Sequence, residues 1–436
     1  MLPALSLCRL VEMKEAIQDI NYQVIEKGGI ASPKGFVANG VCAGFKLGTE
    51  KPDLALILAD EACPSAAVFT KSAFCAAPVQ VSREHLDGKS CGYARAIIMN
   101  SGNANAATGN PGIELVRTVA AESAKLLGCE PKEILLASTG VIGAHIPLKP
   151  FTDNLSTAIN QASQDGGYGA ACAIMTTDTV AKEYAITYIS ESTTFKGTSF
   201  TVGGIAKGSG MIMPDMATML AALTTDAPLS PDLALKALRA AVGKSFNKVT
   251  VDSDTSTNDT CFLMASGKAA TIPNAREAFQ KDSIAFAEFL AALEAVCIHL
   301  ARQIALDGEG ATRLITINLN GAASDEDADK AARAVANSPL VKTAIYGHDA
   351  NWGRIAMALG HSGAAFSQEK VSIDLMGIPV CRDGLTVPFD EEEALRRFEA
   401  PEVVIDINLG AGNAATTLWT CDFTHDYITI NGDYRT

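Results

Sequence analysis

Positive charge is scarce in this sequence, and it is never concentrated. The 436 residues include 35 Lys and Arg against 49 Asp and Glu, so the formal net charge is −14, and no run of basic residues is longer than a pair. Nucleic acid and anionic membrane surfaces attract clustered cations. The charge pattern therefore predicts small-molecule substrates as partners, with no nucleic acid and no membrane.

Paired metal-binding and disulfide motifs are also missing. The eleven cysteines are scattered from Cys8 to Cys421 without a C-x-x-C pair, and the six histidines form no cluster. These patterns predict no disulfide framework and no metal site, and they favour a reducing cytoplasm. The apolar stretch from Met1 to Leu10 is too short for a membrane segment, and Met13 is an alternative start.

Apolar strand-like runs alternate with amphipathic helices along the chain. Ser230 followed by Pro231, and Ser324 with Asp327 three residues later, predict two helix starts. Further helices are predicted at 112–128, at 284–307 and in DEEEALRRFEA. Strand-like runs often follow one another, as FTVGGIA follows ITYI, which favours antiparallel or mixed sheets covered by helices. The pattern predicts a mixed α/β fold.

One glycine-rich loop leads into a threonine that could act as a nucleophile. The segment KGSGMIMPDMATML, which starts at Lys207, places the small residue Ala217 directly before Thr218. A threonine hydroxyl needs a base within reach, and its own α-amino group, with a pKa of about 8, would serve once the preceding peptide bond is cut. Taken alone, the segment has the more common pattern of a turn before a buried apolar run.

The wider segment KGSGMIMPDMATMLAALTTDA is similar to the self-processing signature of the ornithine acetyltransferase family, also called glutamate N-acetyltransferase. Further blocks resemble those of the family in the same order: NSGNANAATG, STGVIG, AIMTTDT, VDSDTSTNDT, DGEGATR, GHDANWGR and CDFTHDYITINGDYRT. The likeness extends from Asn100 to Thr436. Asp215 departs from the more usual Asn, and VDSDTS departs from the more usual VDGDTS.

The resemblance implies a fold and a maturation step. The fold is an αββα sandwich like that of N-terminal nucleophile hydrolases, with different connectivity, joined to a smaller α/β domain at roughly 310–420. The chain is implied to cut itself between Ala217 and Thr218. Residues 1–217 would form most of the sandwich, and residues 218–436 the rest, the smaller domain and an active-site tail. The two fragments would remain associated, two of each, in a heterotetramer.

The implied reaction is the transfer of acetyl from N2-acetylornithine to glutamate in arginine biosynthesis. It would proceed by a ping-pong mechanism through an acetyl-Thr218 intermediate, without a cofactor. Whether acetyl-CoA is also accepted as a donor, which would make the enzyme multifunctional, stays open. The first alternative is a self-processing aminopeptidase or amidase of the related class, which would pass the acyl group to water. The second is a ligand-binding protein without catalytic activity.

The resemblance also assigns roles to individual residues. The Thr139 hydroxyl and the Gly140 backbone N–H are implied to form the oxyanion hole. Substrate contacts are implied for Thr176, Thr177, Lys207, Thr218, Glu309, Asn431 and Thr436. Lys207 is the expected partner of a substrate carboxylate, and Glu309 is the expected partner of an ammonium or amine group.

Two points near the implied site depend on less direct patterns. The roles of Asp254, Asn258 and Asp259 in VDSDTSTNDT stay open. At the C-terminus, Ile428 and Ile430 alternate with Thr429 and Asn431, so this segment is predicted to be a strand that brings Asn431 and Thr436 to the pocket.

Overall fold

The structure is a computed structural model that describes residues 20–46, 48–213 and 219–433. Ala217, Thr218 and Thr436, which were predicted to belong to the site, lie outside the described residues, as do Met1 and Met13. The strands are β1 (Tyr22–Val24), β2 (Phe36–Val41), β3 (Leu54–Phe69), β4 (Cys91–Asn100), β5 (Ile134–Ser138), β6 (Lys182–Ile189), β7 (Ser199–Lys207), β8 (Leu220–Thr225), β9 (Thr260–Ala265), β10 (Leu314–Ala322), β11 (Ser372–Leu375), β12 (Ile378–Arg382), β13 (Leu385–Thr386), β14 (Glu402–Asn408) and β15 (Ala414–Cys421).

The helices follow the same numbering in chain order. They are α1 (Ala77–His85), α2 (Gly109–Leu127), α3 (Lys149–Asn160), α4 (Gly167–Ala173), α5 (Pro231–Lys244), α6 (Ala275–Lys281), α7 (Ser283–Leu306), α8 (Asp325–Ala336), α9 (Pro339–Tyr346), α10 (Trp352–Gly360), α11 (Glu391–Arg397) and α12 (His425–Asp433). The two helix starts predicted from caps are confirmed, since the Ser230 hydroxyl accepts the Leu233 N–H and the Ser324 hydroxyl accepts the Asp327 N–H.

Nine of the described strands form one bent sheet in the order β1-β6-β7-β8-β9-β3-β4-β5, with β2 also paired to β3. The register of β3 against β4 shifts between Leu58 and Cys63. The first half of β3 pairs with β2 and the second half with β9, so the sheet divides into two halves along this strand.

Three buried clusters show how these halves are layered. Alternate residues of β3 face opposite sides, as a strand requires: Ile57 lies in the inner core with Met99 and Phe262, whereas Leu56 faces α2 and α3. On the other half, the outer face packs against α5 and α7. The order of layers is therefore helix, sheet, sheet, helix, which confirms the αββα sandwich that the resemblance implied.

Helix α7 is the one helix of the described ranges that is long and apolar enough to cross a membrane by length and composition. Many of its apolar side chains are part of the sandwich core, where Phe289, Leu293 and Leu300 are fully buried. Its start is fixed by the Asp282 carboxylate, which accepts the N–H groups of Ile284 and Ala285. The helix predicted at 284–307 is thus confirmed as a core helix.

The second sheet has six of the described strands in the order β13-β12-β11-β14-β10-β15, and its core is shared with α8 to α11. Several charged contacts join this sheet and its helices to the sandwich, among them Lys248 with Asp329. Arg302 on α7 pairs with Glu402 on β14 at 3.0 Å. The ammonium of Lys342 on α9 donates to the carbonyl of Val251 at 2.8 Å, and burial lowers the pKa of this lysine.

The strand predicted at the C-terminus is wrong, because the segment forms the helix α12. The alternation of Ile428 and Ile430 does not reflect a buried face, since Ile428 is 72% exposed. A hydroxyl near the helix start supplies the local signal instead: Thr424 accepts the Asp426 N–H and donates to the Gly310 carbonyl. A helix also satisfies its backbone groups without a neighbouring strand.

Candidate active site

A cavity of about 240 Å³ lies where the loops after β5, β7 and α7 meet α12. Every predicted site residue that the structure describes lines it: Thr139, Gly140, Thr176, Thr177, Lys207, Glu309 and Asn431. Ile212 and Met219, which lie on the two sides of the segment 214–218, line the same cavity. Residues more than 290 positions apart in the sequence are therefore brought to one place.

The turn after β5 presents Thr139 and Gly140 to the cavity. The Thr139 N–H donates to the Asn100 carbonyl at 3.0 Å. Gly140 has φ +127°, and a Cβ atom there would lie 2.4 Å from the Gly102 carbonyl carbon. Only glycine fits this position, because any side chain would both require an unfavourable backbone conformation and collide with the neighbouring loop.

The segment 251–260, which contains VDSDTSTNDT, holds the chain on both sides of residues 214–218. The Asp252 carboxylate accepts the N–H groups of Met211 at 2.6 Å and Ile212 at 2.8 Å. These bonds hold Met211 in a left-handed conformation with φ +57°. Beyond the gap, the Thr260 N–H donates to the Met219 carbonyl at 3.0 Å, where β8 begins.

A buried ion-pair network orders the wall that carries Lys207. Asp178 accepts the N–H groups of Thr176 at 2.9 Å and Gly208 at 2.7 Å. The fully buried Lys182 ammonium pairs with Asp178 at 2.7 Å and with Asp307 at 2.6 Å. The network thus connects the loop before β6, the end of β7 and the loop after α7.

The electrostatics of this network favour the charged forms of Asp178 and Lys182. Burial would raise the pKa of Asp178, but the cations of Lys182 and Lys207 outweigh it and hold that pKa well below its usual range. Burial would lower the pKa of Lys182, but the Asp178 and Asp307 carboxylates outweigh it and raise that pKa. Both shifts favour the charged pair of Asp178 and Lys182 at neutral pH.

Glu309 and α12 form another part of the cavity lining, and the Glu309 N–H donates to the Ser209 carbonyl at 3.1 Å. The Glu309 carboxylate accepts the Asn431 amide N–H at 2.7 Å. A Cβ atom on Gly210 would lie 2.3 Å from the Glu309 carboxyl carbon, so a side chain there would force the Glu309 carboxylate to shift. Burial raises the pKa of Tyr427, and the carboxylates of Asp252 and Glu309 act in the same direction. Its phenol therefore stays protonated and can donate a hydrogen bond.

The arrangement has separate places for a negative and a positive group. Lys207 is 7% exposed at the end of β7, Glu309 is equally buried in the loop after α7, and both line the cavity. An α-amino acid carries a carboxylate and an ammonium, so it matches this distribution of charge. Among the residues that the structure describes, no group of three or more His, Cys, Asp or Glu could hold a metal ion.

Several residues of the site were not found by sequence reasoning. Lys182 and Asp307 are 125 positions apart, and no pattern in the sequence marks them as partners. Asp252 and Tyr427 lie within blocks that resemble the family, and that was their only signal. Of the residues whose roles stayed open, Asp254, Asn258 and Asp259 all line the cavity.

Comparison with known proteins gives matches over most of the chain. The model of the ArgJ family matches residues 37–436. "Arginine biosynthesis bifunctional protein ArgJ" of Thermosynechococcus vestitus is 44% identical over 424 residues, which are 94% of this chain and 98% of that protein. The protein of the same name from Symbiobacterium thermophilum is 45% identical over 410 residues, which are 94% of this chain and 99% of that protein.

A solved structure of arginine biosynthesis bifunctional protein ArgJ from Bacillus halodurans is 43% identical and covers 48% of this chain and 97% of that chain, with a TM-score of 0.44. The family model and the two full-length relatives agree over almost the whole sequence. The chain therefore belongs to the ArgJ family.

Proposed function

We propose that this chain is a self-processing acetyltransferase of arginine biosynthesis that moves acetyl from N2-acetylornithine to glutamate. The observation that carries the proposal is the meeting of Thr139 and Gly140 with Lys207 and Glu309 in one cavity, beside the two ends of the segment 214–218. The shared name of the relatives, an arginine biosynthesis bifunctional protein, supports the pathway and two activities. Acetyl-CoA is the proposed second donor, as a substrate, and no cofactor is needed.

The first chemical step is cleavage of the chain. The Thr218 hydroxyl oxygen attacks the Ala217 carbonyl carbon, the C–N bond breaks, and the hydroxyl proton ends on the departing nitrogen. Water then hydrolyses the ester, which leaves a carboxylate on Ala217 and a free amine on Thr218. The anchoring of Met211, Ile212 and Met219 by the segment 251–260 supports this step, because it fixes the chain on both sides of the bond.

Acetyl transfer then uses both groups of the new N-terminal residue Thr218: the hydroxyl is the nucleophile and the amine is the base. The Thr218 amine accepts the hydroxyl proton as the oxygen attacks the acetyl carbonyl of N2-acetylornithine, and the same proton leaves with ornithine. The neutral amine of glutamate next attacks the acetyl ester carbon, and the C–O bond to Thr218 breaks. The proton that the glutamate nitrogen loses passes through the Thr218 amine to the Thr218 oxygen, so N-acetylglutamate departs and the hydroxyl is restored. In both steps the oxyanion receives hydrogen bonds from the Thr139 hydroxyl and the Gly140 N–H.

The remaining cavity residues bind the charged and polar groups of the two substrates. Lys207 binds the α-carboxylate, and Thr177 or its neighbour Thr176 adds a neutral donor. Glu309, held by Asn431, binds the ammonium of ornithine or orients the incoming amine, and Thr436 completes the pocket. The fragments 1–217 and 218–436 work as a heterotetramer, two of each, in the cytoplasm.

Mass spectrometry of the purified chain tests the cleavage. The wild-type chain should convert to the fragments 1–217 and 218–436 at neutral pH. Thr218→Ala should stay whole, whereas Thr218→Ser keeps a hydroxyl and should still be cut. A wild-type chain that stays a single species would rule out Thr218 as the nucleophile.

Product analysis separates the transferase from its alternative. With N2-acetylornithine and glutamate, the mature protein should form N-acetylglutamate in the same amount as ornithine. Release of free acetate instead would indicate an amidase of the related class. Formation of N-acetylglutamate from acetyl-CoA and glutamate would establish the second donor.

A further inference from the structure

Asn258 is a buried polar residue in the wall of the cavity. It lies just before β9 and is 4% exposed. Its amide nitrogen donates to the Ala104 carbonyl at 2.6 Å and to the Ser138 carbonyl at 2.8 Å. Its side-chain oxygen accepts the Thr257 hydroxyl at 2.6 Å. Both amide hydrogens are therefore committed to backbone carbonyls, and neither is left for a substrate.

One of these carbonyls belongs to the peptide group that leads into the implied oxyanion hole. The peptide between Ser138 and Thr139 is held from both sides: its C=O accepts from Asn258, and its N–H donates to the Asn100 carbonyl at 3.0 Å. The plane of this peptide, together with the backbone angles of Thr139, sets the direction in which the Thr139 side chain and the following Gly140 N–H point. Asn258 thus controls the orientation of both expected donors.

The other carbonyl belongs to the loop against which Gly140 packs. Ala104 follows Asn103, whose backbone nitrogen would lie 2.6 Å from a Cβ atom on Gly140. The Ala104 N–H donates to the Val141 carbonyl at 3.0 Å. The side-chain amide of Asn258 donates hydrogen bonds to the carbonyls of both Ala104 and Ser138. It therefore fixes the spacing between this loop and the turn after β5.

We propose that Asn258 is a positioning residue for the oxyanion hole, acting through the peptide between Ser138 and Thr139. The inference rests on the proposed function, in which Thr139 and Gly140 stabilise the oxyanion of each acetyl-transfer step. Such donors accelerate a reaction only when they are held in place beforehand, and removing one costs on the order of a hundredfold in kcat. A misplacement of about 1 Å can have a similar effect.

Asn258→Asp tests the proposal because it keeps the shape of the side chain and removes the donors. A carboxylate oxygen would face the Ala104 and Ser138 carbonyls and repel them. The kcat of acetyl transfer should fall by roughly a hundredfold. The KM for N2-acetylornithine should change by less than about threefold, because the donors act on charge that develops in the transition state. Both acetylation and deacetylation of Thr218 should slow, since each forms an oxyanion.

Asn39→Asp is the matched control. The Asn39 amide also donates to a backbone carbonyl, that of Ala158 at 3.3 Å, and Asn39 does not line the cavity. This variant should keep kcat within about threefold of the wild type. If Asn258→Asp fails to fold, as judged by circular dichroism and Tm, Asn258→Ala removes the donors without adding charge and serves in its place.

Coupling to Thr139 distinguishes positioning from a general structural role. If Asn258 acts through Thr139 and Gly140, the double variant Thr139→Ala/Asn258→Asp should be much less impaired than the product of the two single effects. If the loss of kcat in the double variant equals the product of the two single losses, the two residues act independently and the inference is overturned. A folded Asn258 variant with wild-type kcat, or one that changes only KM, would overturn it as well. An unchanged kcat in Thr139→Ala alone would instead contradict the proposed oxyanion hole.

Discussion

Single glycines determine how closely the walls of the cavity approach each other. A Cβ atom on Gly210 would collide with the Glu309 carboxylate, and one on Gly310 would lie 2.6 Å from the Tyr427 backbone nitrogen. Gly140 and Gly310 are constrained twice, because each combines a Cβ collision against backbone with a positive φ, +127° at Gly140 and +69° at Gly310. Substitution at such a position moves catalytic groups without removing any of them.

Gly140→Ala should therefore lower kcat by about a hundredfold or more, since it displaces the N–H that is expected to bind the oxyanion. Gly143→Ala is the control: Gly143 has φ +80°, but a Cβ atom there has no neighbour within 4 Å. The control should lose about 1–2 kcal/mol of stability and keep most of its turnover. Steady-state kinetics with thermal melts checks both variants, and equal losses of kcat would contradict the expectation.

A second prediction concerns Glu183 on β6, whose pKa is raised by burial from 4.5 to about 7. An acid whose folded-state pKa is raised favours folding fully below its unfolded pKa, and this contribution is lost as the pH rises through 7. Glu183→Gln should therefore gain about 1 kcal/mol over the wild type at pH 8, after allowance for partial exposure, and almost nothing at about pH 4, below the unfolded pKa. Chemical denaturation at both pH values measures the difference in free energy of unfolding between the variant and the wild type. Equal gains at both pH values would contradict a raised pKa for Glu183.

At the scale of elements, the sequence predicted those features that depend on neighbouring residues. Ser230 and Ser324 marked helix starts because a hydroxyl can bond an N–H two or three residues later. The site residues were predicted only from the resemblance to the family, since no local pattern indicates that Thr139 and Glu309 line the same cavity. The strand predicted for the last residues failed because alternation indicates a strand only if one face is buried, and Ile428 is exposed. Lys182 and Asp307 were missed because their pairing is purely tertiary.

The helix α12 should be required for substrate binding but not for folding. None of its described residues is buried, yet Tyr427 and Asn431 line the cavity. A chain ending at Thr424 should fold and cleave itself, while kcat/KM falls at least about tenfold through loss of the bond to the Glu309 carboxylate. A chain ending at Asp433 lacks only residues 434–436, so its kcat/KM shows how much these last residues, which include Thr436, contribute to activity. Full activity of the shorter chain would contradict a role for α12.

At the scale of the whole molecule, the proposed break would fall inside a continuous sheet. Strand β7, before the break, pairs antiparallel with β8, after it, from Val202 opposite Thr225 to Lys207 opposite Leu220. Strand β3 pairs in the same way with β9. The inner core also mixes side chains from both sides of the break. Cleavage therefore removes a covalent link without exposing the core, and this explains how two fragments can remain one folded unit.

The buried network around Lys182 joins the two proposed fragments by charge. Lys182 and Asp178 belong to the first fragment, and Asp307 belongs to the second. Lys182→Met would leave two carboxylates buried without their cation, a change that costs about 3–5 kcal/mol. The fragments should then separate at a lower guanidinium concentration, which size-exclusion chromatography and fluorescence can follow on the mature protein.

Two comparison variants show whether the loss of stability in Lys182→Met comes from the buried charges. Lys149→Met breaks a pair with Asp153 in which the lysine side chain is 82% exposed, so it should cost less than about 0.5 kcal/mol. Adding Asp307→Asn to Lys182→Met removes one of the stranded charges and should restore part of the lost stability. If the double variant is no more stable than Lys182→Met, the loss arises from packing around the lysine stem. If Lys182→Met is as stable as Lys149→Met, the network does not hold the fragments together.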